Sequence, residues 1–239
     1  MLVRLNKFMV EQGVCSRREA DRLIEAGKIT INGRKAVMGE KVEGTEEIVV
    51  DGKKVDTSPK EKVYLAYNKP VGIICTADPE AQDNIVEAVH YPERIFHIGR
   101  LDVASSGLIL LTNDGSIVNK ILRAEGEHEK EYIVTVDKKI TPDFMQKMKK
   151  GVQLEDGRTL PAELDERTEN TFAITIVEGR NRQIRRMCET LGYQVIGLTR
   201  VRIMHIKLGD LQVGEWRHLT KEEETTLWKG LEEVGPDTK

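Results

Sequence analysis

The sequence has 239 residues, long enough for one large domain or for a small module followed by a larger one. Apolar residues make up 39% of it and charged residues 32%, which is typical of a soluble globular protein that buries a core. The longest apolar stretches, such as residues 108–111, are far too short to span a bilayer, and no leader sequence is recognisable, so we expect a cytoplasmic protein without a membrane segment.

The formal net charge of −3 conceals two basic segments. Residues 1–35 carry eight Lys or Arg against four Asp or Glu, and residues 180–202 carry six arginines against the single Glu189. A polyanion responds to local patches of charge, so both segments are compatible with RNA binding. Charge alone fits two solvated helix faces equally well.

The first fifty residues predict two short helices followed by a hairpin. Apolar residues at helical spacing indicate a helix that ends at Gly13. A second helix begins with a capping box in which Ser16 and Glu19 would satisfy each other's free amides, and it ends at Gly27. The Asn-Gly turn at 32–33 then predicts a β-hairpin.

The side of the second helix that faces away from its apolar stripe is basic. Arg18 and Arg22 lie one turn apart on this side, with Arg17 beside them. Two helices and a hairpin with basic residues facing outward resemble the S4 RNA-binding domain. The resemblance implies an S4-type α/β RNA-binding domain, which with its linker covers residues 1–58, and it implies RNA contacts for these three arginines.

The polar stretch at 52–61 has the composition of a linker, and we predict a second domain over residues 62–235. Strand signals at 63–67, 108–112, 132–136 and 172–177 outnumber the helix signals. The helix signals are a start at Thr141-Pro142 and a capping box from Thr220 to Glu223. Because many strands are joined by short turns, we predict an α+β fold with a mixed, largely antiparallel sheet.

A carboxylate stands in a loop of small residues directly before an apolar strand. The segment is Gly-Arg-Leu-Asp-Val-Ala-Ser-Ser-Gly-Leu at 99–108, and the carboxylate is Asp102. A rigid strand that holds a loop carboxylate is a common way to present a catalytic acid. Residue chemistry alone does not separate this role from that of an Asp capping a turn through its own backbone, which is the commoner one.

Arg-Leu-Asp followed by Ser-Ser-Gly-Leu resembles the signature loop of the pseudouridine synthases of the RsuA and RluA type. Three further segments resemble the other motifs of that family in the expected order: Asn-Lys-Pro-Val-Gly at 68–72, Lys-Glu-Tyr at 130–132 and Arg-Gln-Ile-Arg-Arg-Met at 182–187. With the S4-like module, the resemblance covers nearly the whole chain, and within the family it is similar to the large-subunit synthase F group. It implies a pseudouridine synthase catalytic domain that isomerises one uridine of large-subunit ribosomal RNA.

The resemblance also implies roles for single residues. Asp102 matches the catalytic aspartate, which starts cleavage of the C1′–N1 bond by attacking C1′, adding to C6 or removing the ribose 2′ proton, and the sequence leaves these routes open. Tyr132 matches the tyrosine whose ring lies against the target base, although the residue alone would suit a buried core. Arg185 matches the basic residue that pairs with the aspartate. Arg100 matches an arginine that helps to displace the target nucleotide from its stack.

Other basic residues of these motifs are predicted contacts. Lys69 is expected near the pocket, and Arg180, Arg182 and Arg186 are expected to bind phosphates. Without the motifs, an arginine-rich helix face would be interpreted as merely solvated.

No cofactor is implied, because the reaction is an isomerisation without redox change or group transfer. The sequence contains no P-loop and no dinucleotide fingerprint. The three widely spaced cysteines and five histidines also lack the spacing of a disulfide framework or a metal site, so no metal is predicted. We expect ribosomal RNA as the partner and a monomer with a small first domain on a polar linker.

Two alternatives remain open. The same chemistry could act on small-subunit ribosomal RNA or on transfer RNA. A non-catalytic S4-type protein of ribosome assembly would explain both basic segments, but it gives no reason for Asp102, Tyr132 and Arg185 to occur together in these motifs.

Overall fold

In the computed structural model of the protein, residues 2–58, 60–78, 80–122 and 128–232 are described. The chain divides into two compact units: the first comprises residues 1–63 with the short stretches 91–95 and 112–115, and the second comprises the remainder. The predicted domain limits stay predictions, and residues 233–235 of the second lie outside the described part. None of the described helices combines the length and hydropathy needed to cross a membrane.

The first unit packs two short helices against small sheets. β1 pairs with β4, and a four-stranded sheet has the order β3-β2-β5-β6. The apolar faces of the helices, including Leu5, Met9 and Ile24, form one core with Ile29 and Ile48 of the sheet. The elements are β1 (Val3–Arg4), α1 (Leu5–Glu11), α2 (Arg17–Glu25), β2 (Ile29–Ile31), β3 (Arg34–Lys35), β4 (Lys41–Val42), β5 (Ile48–Val50) and β6 (Lys53–Lys54).

The predicted start of α2 is confirmed for one of its two hydrogen bonds. Ser16 Oγ accepts the backbone N–H of Glu19 at 3.1 Å. The Glu19 carboxylate is instead paired with Arg22 at 3.1 Å, so the reciprocal bond to the Ser16 amide is not formed in the described structure. The hairpin prediction is confirmed, because Asn32 and Gly33 have φ values of 48° and 81°, the left-handed geometry of a two-residue turn.

The second unit is built around one large mixed sheet. Its strand order is β13-β14-β10-β15-β9-β7-β17, with β16 paired to β15 and β8 to β9. The remaining elements of the chain are β7 (Tyr64–Lys69), α3 (Ile85–Val89), β8 (Phe96–Ile98), β9 (Ser106–Thr112), α4 (Gly115–Leu122), β10 (Lys130–Val136), α5 (Pro142–Lys149), β11 (Gln153–Leu154), β12 (Gly157–Arg158), β13 (Glu163–Thr168), β14 (Thr171–Ile176), α6 (Gln183–Thr190), β15 (Val195–Ile203), β16 (Ile206–Lys207), β17 (Trp216–His218) and α7 (Lys221–Glu232).

Strand pairing in this sheet is mostly antiparallel, which confirms the predicted fold class. β10 runs antiparallel to both β14 and β15, and β13 runs antiparallel to β14. β15 and β9 pair in parallel, with Thr199 opposite Ser106 and Arg200 opposite Gly107. The parallel pair therefore brings the start of β9, which directly follows the Asp102 loop, against the middle of β15.

Gly107 makes this close approach possible. A Cβ atom at this position would lie 2.2 Å from the carbonyl oxygen of Arg200 and 2.7 Å from its nitrogen. Its φ of 105° is also one that side chains rarely adopt. The glycine of the signature loop is thus required by the packing of two strands against each other.

Helix caps in the second unit agree with the sequence. Thr141 accepts the N–H of Phe144 at 3.2 Å and Pro142 is the first residue of α5. Thr220 and Glu223 form both bonds of a capping box at the start of α7, at 3.1 and 2.9 Å. Such caps stabilise a helix by about 1 kcal/mol each.

The second unit contains two hydrophobic cores. One contains apolar side chains of β10, β14, α5 and α6, and the other contains those of β7, β9, α4 and α7. Within α6, Ile184, Met187 and Cys188 are buried as the helical spacing predicts. This packing fixes which side of α6 turns toward the loop that carries Asp102.

Candidate active site

A cavity of about 1040 Å³ opens in the second unit between the Asp102 loop, the middle of the sheet and the segment that leads into α6. Its walls include residues 97–103, Lys130 and Tyr132 of β10, Arg200 of β15 and residues 177–184. Every wall residue comes from the second unit, so the cavity is a property of this unit alone. Five of the eleven predicted site residues line it, namely Arg100, Asp102, Tyr132, Arg180 and Arg182.

Asp102 lies in a loop whose backbone is held from several sides. Its carbonyl oxygen accepts the N–H of Ser105 at 3.0 Å, and the next residue, Val103, accepts the N–H of Gly72 at 2.8 Å. On the other side, the N–H of Leu101 donates to the Cys75 thiol at 3.3 Å. The half-exposed Asp102 side chain lines the cavity. No residue of the described structure donates a hydrogen bond to its carboxylate or places a cation within 4 Å of it. The carboxylate is therefore held in position by its backbone and left free to react.

Tyr132 forms the part of the wall that β10 contributes. Its side chain is 8% exposed and belongs to the core as well as to the cavity wall. In the register of β10 and β15 it lies opposite Arg200, whose guanidinium carbon is 6.0 Å from the ring centroid. Such a separation permits a cation–π attraction. The ring thus has a fixed position at the edge of the cavity.

Arg185 reaches the Asp102 loop, but not through the predicted ion pair. Its Nη2 donates to the carbonyl oxygen of Ala104 at 2.8 Å and to Ser105 Oγ at 3.3 Å, and its Nη1 donates to the carbonyl oxygen of Val195 at 3.1 Å. The prediction of a direct pair with Asp102 is wrong, because these acceptors take up the ends of the guanidinium. Burial and the charge of Arg182 lower the pKa of Arg185, and the charge of Asp102 opposes that effect.

Lys69 is buried behind the cavity instead of lining it. Its Nζ donates to the carbonyl oxygens of Pro70 at 2.7 Å and Ile73 at 2.9 Å. Burial lowers the pKa of this lysine, while the nearby Cys75 and Asp102 oppose the shift. The expectation of a pocket contact is corrected accordingly: the lysine fixes the turn whose Gly72 holds the Asp102 loop.

The arginines predicted to bind phosphates differ in whether their guanidinium groups already bind partners within the protein. Arg180 donates to the Glu178 carboxylate at 2.9 Å and to three backbone carbonyls of the β11–β12 hairpin. Arg186 holds Asp156 with two bonds of 3.0 Å each. Only the exposed Arg182, at the mouth of the cavity, keeps a guanidinium without a partner within the described chain. Phosphate binding by the other two would require breaking these bonds.

Arg100 and the arginines of α2 are exposed, as an RNA contact must be. Arg100 stands in the cavity wall two residues before Asp102. In the first unit, Arg17, Arg18 and Arg22 all lie on the solvent side of α2, and Arg22 is paired with Glu19. The sequence therefore identified these exposed positions correctly, although their contact with RNA stays a prediction.

Arg200 is the wall residue that the sequence analysis missed. It is 4% exposed, and its Nε donates to the carbonyl oxygen of Leu108 at 2.6 Å. The sequence did contain a signal for it. Alternation along β15 puts Arg200 on the same face as the buried Leu198, which predicts a charged side chain pointing into the protein. Lys130 stands in the Lys-Glu-Tyr motif without an assigned role, and its Nζ donates to the carbonyl oxygen of His128 at 2.8 Å.

The arrangement offers one free carboxylate, an aromatic ring and several cations around a single cavity. The second wall carboxylate, Glu178, already accepts bonds from Arg180 and Gln183. Within the described residues no group of His, Cys, Asp or Glu could hold a metal ion. Asp102 and Tyr132 line the same cavity, so one ligand could contact both.

The comparisons with known proteins agree on one family. Residues 63–190 match the family model of RNA pseudouridylate synthase, and residues 3–48 match the S4 domain. The dual-specificity RNA pseudouridine synthase RluF of Escherichia coli K12 is 48% identical over 238 residues, 99% of this chain and 82% of the relative. The ribosomal large subunit pseudouridine synthase B of Bacillus subtilis is 40% identical over 92% of this chain and 93% of the relative. A solved pseudouridylate synthase is 33% identical, with a TM-score of 0.68 over 94% of this chain and 99% of the other.

Proposed function

This chain belongs to the RNA pseudouridylate synthase family, and on that premise we propose that Asp102 is the carboxylate with which it converts a uridine of large-subunit ribosomal RNA into pseudouridine. The chain is an RNA pseudouridine synthase whose catalytic domain follows an S4 domain. One observation carries the role of Asp102: its side chain is in the cavity wall, and within the described structure no hydrogen-bond donor or cation occupies its carboxylate.

The reaction balances without any added group. The C1′–N1 bond of the uridine breaks, a C1′–C5 bond forms, C5 loses its proton and N1 gains one. An ionised carboxylate beside the nucleoside can start this exchange as a nucleophile or as a base. Asp102 fits either step because its backbone is held and its carboxylate is unoccupied.

Tyr132 is the proposed platform for the target base. A base that leaves its stack must be held by a flat surface while it turns, and stacking on an aromatic ring does this without reading much sequence. The support is that Tyr132 shares the cavity wall with Asp102. Its ring is held by the β10–β15 pair, so it can serve as a fixed surface.

Arg100 and Arg182 are the proposed contacts of the extruded nucleotide. Both are exposed in the cavity wall, so their guanidinium groups can reach a phosphate or the space that the base has left. We assign Arg185 a positioning role through Ala104 and Ser105, and Arg180 and Arg186 structural roles. In the first unit, Arg17, Arg18 and Arg22 are the proposed contacts of the S4 domain with RNA.

The choice of large-subunit ribosomal RNA is supported by the relative from Bacillus subtilis, which is named for that subunit. The relative from Escherichia coli is named for a dual specificity, which favours transfer RNA or small-subunit ribosomal RNA as a second substrate for this chain. We propose that the enzyme acts in the cytoplasm as a monomer, since one second unit contains every wall of the cavity.

The proposal is tested by replacing Asp102 with Asn. Large-subunit rRNA transcribed with uridine tritiated at C5 releases tritium as the C1′–C5 bond forms, so release measures turnover directly. We expect Asp102→Asn to lower release by at least about 1,000-fold, because the carboxylate supplies the reactive group. RNA affinity should stay within a few-fold of the unsubstituted enzyme.

A matched control is Asp210→Asn, which changes an exposed aspartate of the same unit and should leave turnover unchanged. Parallel reactions with transfer RNA and small-subunit rRNA identify the substrate class. Normal turnover by Asp102→Asn would refute the role of Asp102. Tritium release from transfer RNA alone would refute large-subunit rRNA as the target.

A further inference from the structure

Arg200 is a buried cation whose guanidinium is only partly used. Its Nε donates to the carbonyl oxygen of Leu108 at 2.6 Å, and its Nη1 donates to the carbonyl oxygen of Arg100 at 3.4 Å. Its Nη2 is buried and has no hydrogen-bond partner in the described structure. The first two bonds join β15 to β9 and to the loop residue that stands two positions before Asp102.

The same side chain also reaches Tyr132. The two residues are opposite each other in the β10–β15 pair, and the guanidinium carbon is 6.0 Å from the ring centroid. Arg200 therefore contacts the segment before Asp102 and the proposed platform for the base at once. Since Asp102 lies in the loop before β9 and Tyr132 lies on β10, a group that touches both elements can fix the distance between them.

Arg185 holds the other end of the same loop. It binds Ala104 and Ser105, which follow Asp102, whereas Arg200 binds Arg100, which precedes it. Two buried arginines thus hold the loop on both sides of the carboxylate. The sequence resemblance identified one of them, and the second follows from the hydrogen bonds alone.

Stability by itself does not account for an arginine at position 200. A buried guanidinium has lost its hydration, and an N–H that finds no acceptor adds to that cost. Residues that break a rule of packing in this way are expected at functional sites.

We propose that Arg200 is a positioning residue for the reaction, which keeps the Asp102 loop and the Tyr132 ring at a productive distance. The inference rests on the proposed function of Asp102. Direct phosphate binding by Arg200 is disfavoured, because its side chain is only 4% exposed. Arg100 and Arg182, by contrast, are exposed in the cavity wall. Arg200 acts on the substrate through Arg100 and Tyr132.

The test compares Arg200→Met with Arg202→Met on the tritium-release assay under single-turnover conditions. Arg202 is two residues further along the same strand, where it pairs with Glu129 and Glu131. We expect Arg200→Met to lower the rate constant by about 100-fold, because small displacements of reacting groups have costs of that order. The dissociation constant for large-subunit rRNA should change by less than about threefold, because phosphate contacts dominate RNA affinity and the buried Arg200 makes none. Arg202→Met should keep the normal rate.

Thermal unfolding and a second variant separate this role from a merely structural one. Arg200→Lys keeps the charge but replaces the planar fork of separated nitrogens by a single nitrogen, which does not reproduce the geometry of the bonds to Leu108 and Arg100. We therefore expect it to fold, to bind RNA normally and to remain at least about tenfold slow. A normal rate in Arg200→Lys or in a folded Arg200→Met would overturn the inference. Parallel losses of rate and RNA affinity would also overturn it, in favour of a binding role.

Asp102→Asn, measured beside these variants, distinguishes the two ideas. If Asp102→Asn keeps its activity, the proposed function fails and the role of Arg200 fails with it. If Asp102→Asn is inactive and both Arg200 variants react normally, only the positioning role is lost.

Discussion

Both basic segments of the chain contain several arginines, but they use these arginines differently. In α2 of the first unit, Arg17 and Arg18 are exposed and Arg22 has only a partner one turn away on its own helix. In the segment from 180 to 202, five of the six arginines bind partners inside the second unit, and Arg182 is the one that does not within the described chain. The α2 arginines face solvent, whereas most arginines of the second segment bind partners within the same unit.

This difference shows that a count of arginines does not measure an RNA-binding surface. A guanidinium has five donors in a fixed fork, so it suits phosphates and backbone carbonyls equally well. What decides between these uses is burial and the nearby acceptors. Three predictions test this contrast between the α2 segment and the 180–202 segment.

The largest effect is expected for Arg185→Met. The change removes the donors to Ala104, Ser105 and Val195, so the loop after Asp102 loses its anchor. We expect turnover to fall by about 100-fold, and the free energy of unfolding to fall by about 1–3 kcal/mol because buried acceptors lose their partner. Tritium release and urea unfolding measure the two effects. An unchanged rate with weakened RNA binding would contradict this prediction and indicate that Arg185 binds RNA, as is proposed for the α2 arginines.

An intermediate effect is expected for the double change Arg17→Gln and Arg18→Gln. Because these groups are exposed and unpaired in the described structure, they can contact phosphates directly. Each phosphate contact that is lost should reduce the slope of log affinity against log salt by about one. The rate at saturating RNA should not change. RNA binding measured across a salt series checks this, and a reduced rate with unchanged salt dependence would contradict it.

The smallest effect is expected for Asp156→Asn. Arg186 lowers the pKa of Asp156, so the pair stabilises the fold fully above the ordinary carboxyl pKa and loses that contribution as the pH falls through the lowered value. The variant should therefore show a flatter acid limb of Tm against pH than the unsubstituted protein. Thermal scans from neutral to acidic pH measure this. If the change instead raised RNA affinity several-fold, Arg186 would be a phosphate contact for which Asp156 competes.

Local features of the fold could be predicted because they depend on neighbouring residues. The caps at Ser16, Thr141 and Thr220 and the turn at 32–33 all lie where the sequence indicates them. The strand signals also located β7, β9, β10 and β14 to within two residues, whereas β15 at the middle of the sheet was not predicted. Each of these features is determined by interactions within a few positions of the chain.

The partners of the site residues could not be predicted, because they come from distant segments. Arg185 binds Ala104, which is 81 positions away, and Lys69 turns back onto its own loop. The motif identified both residues but did not specify which atoms they would meet. Arg200 was missed for the same reason: a single charged residue in a strand gains its meaning only from the strands beside it.

The parallel pairing of β9 with β15 has a consequence for the order in which the protein can acquire activity. Ser106 Oγ meets Thr199 Oγ1 at 3.0 Å across 93 positions of the chain. Such non-local pairing forms late, since the entropy of closing a long loop must be overcome first. A chain emerging from the ribosome therefore has no working site until β15 has been synthesised, however complete its N-terminal half already is.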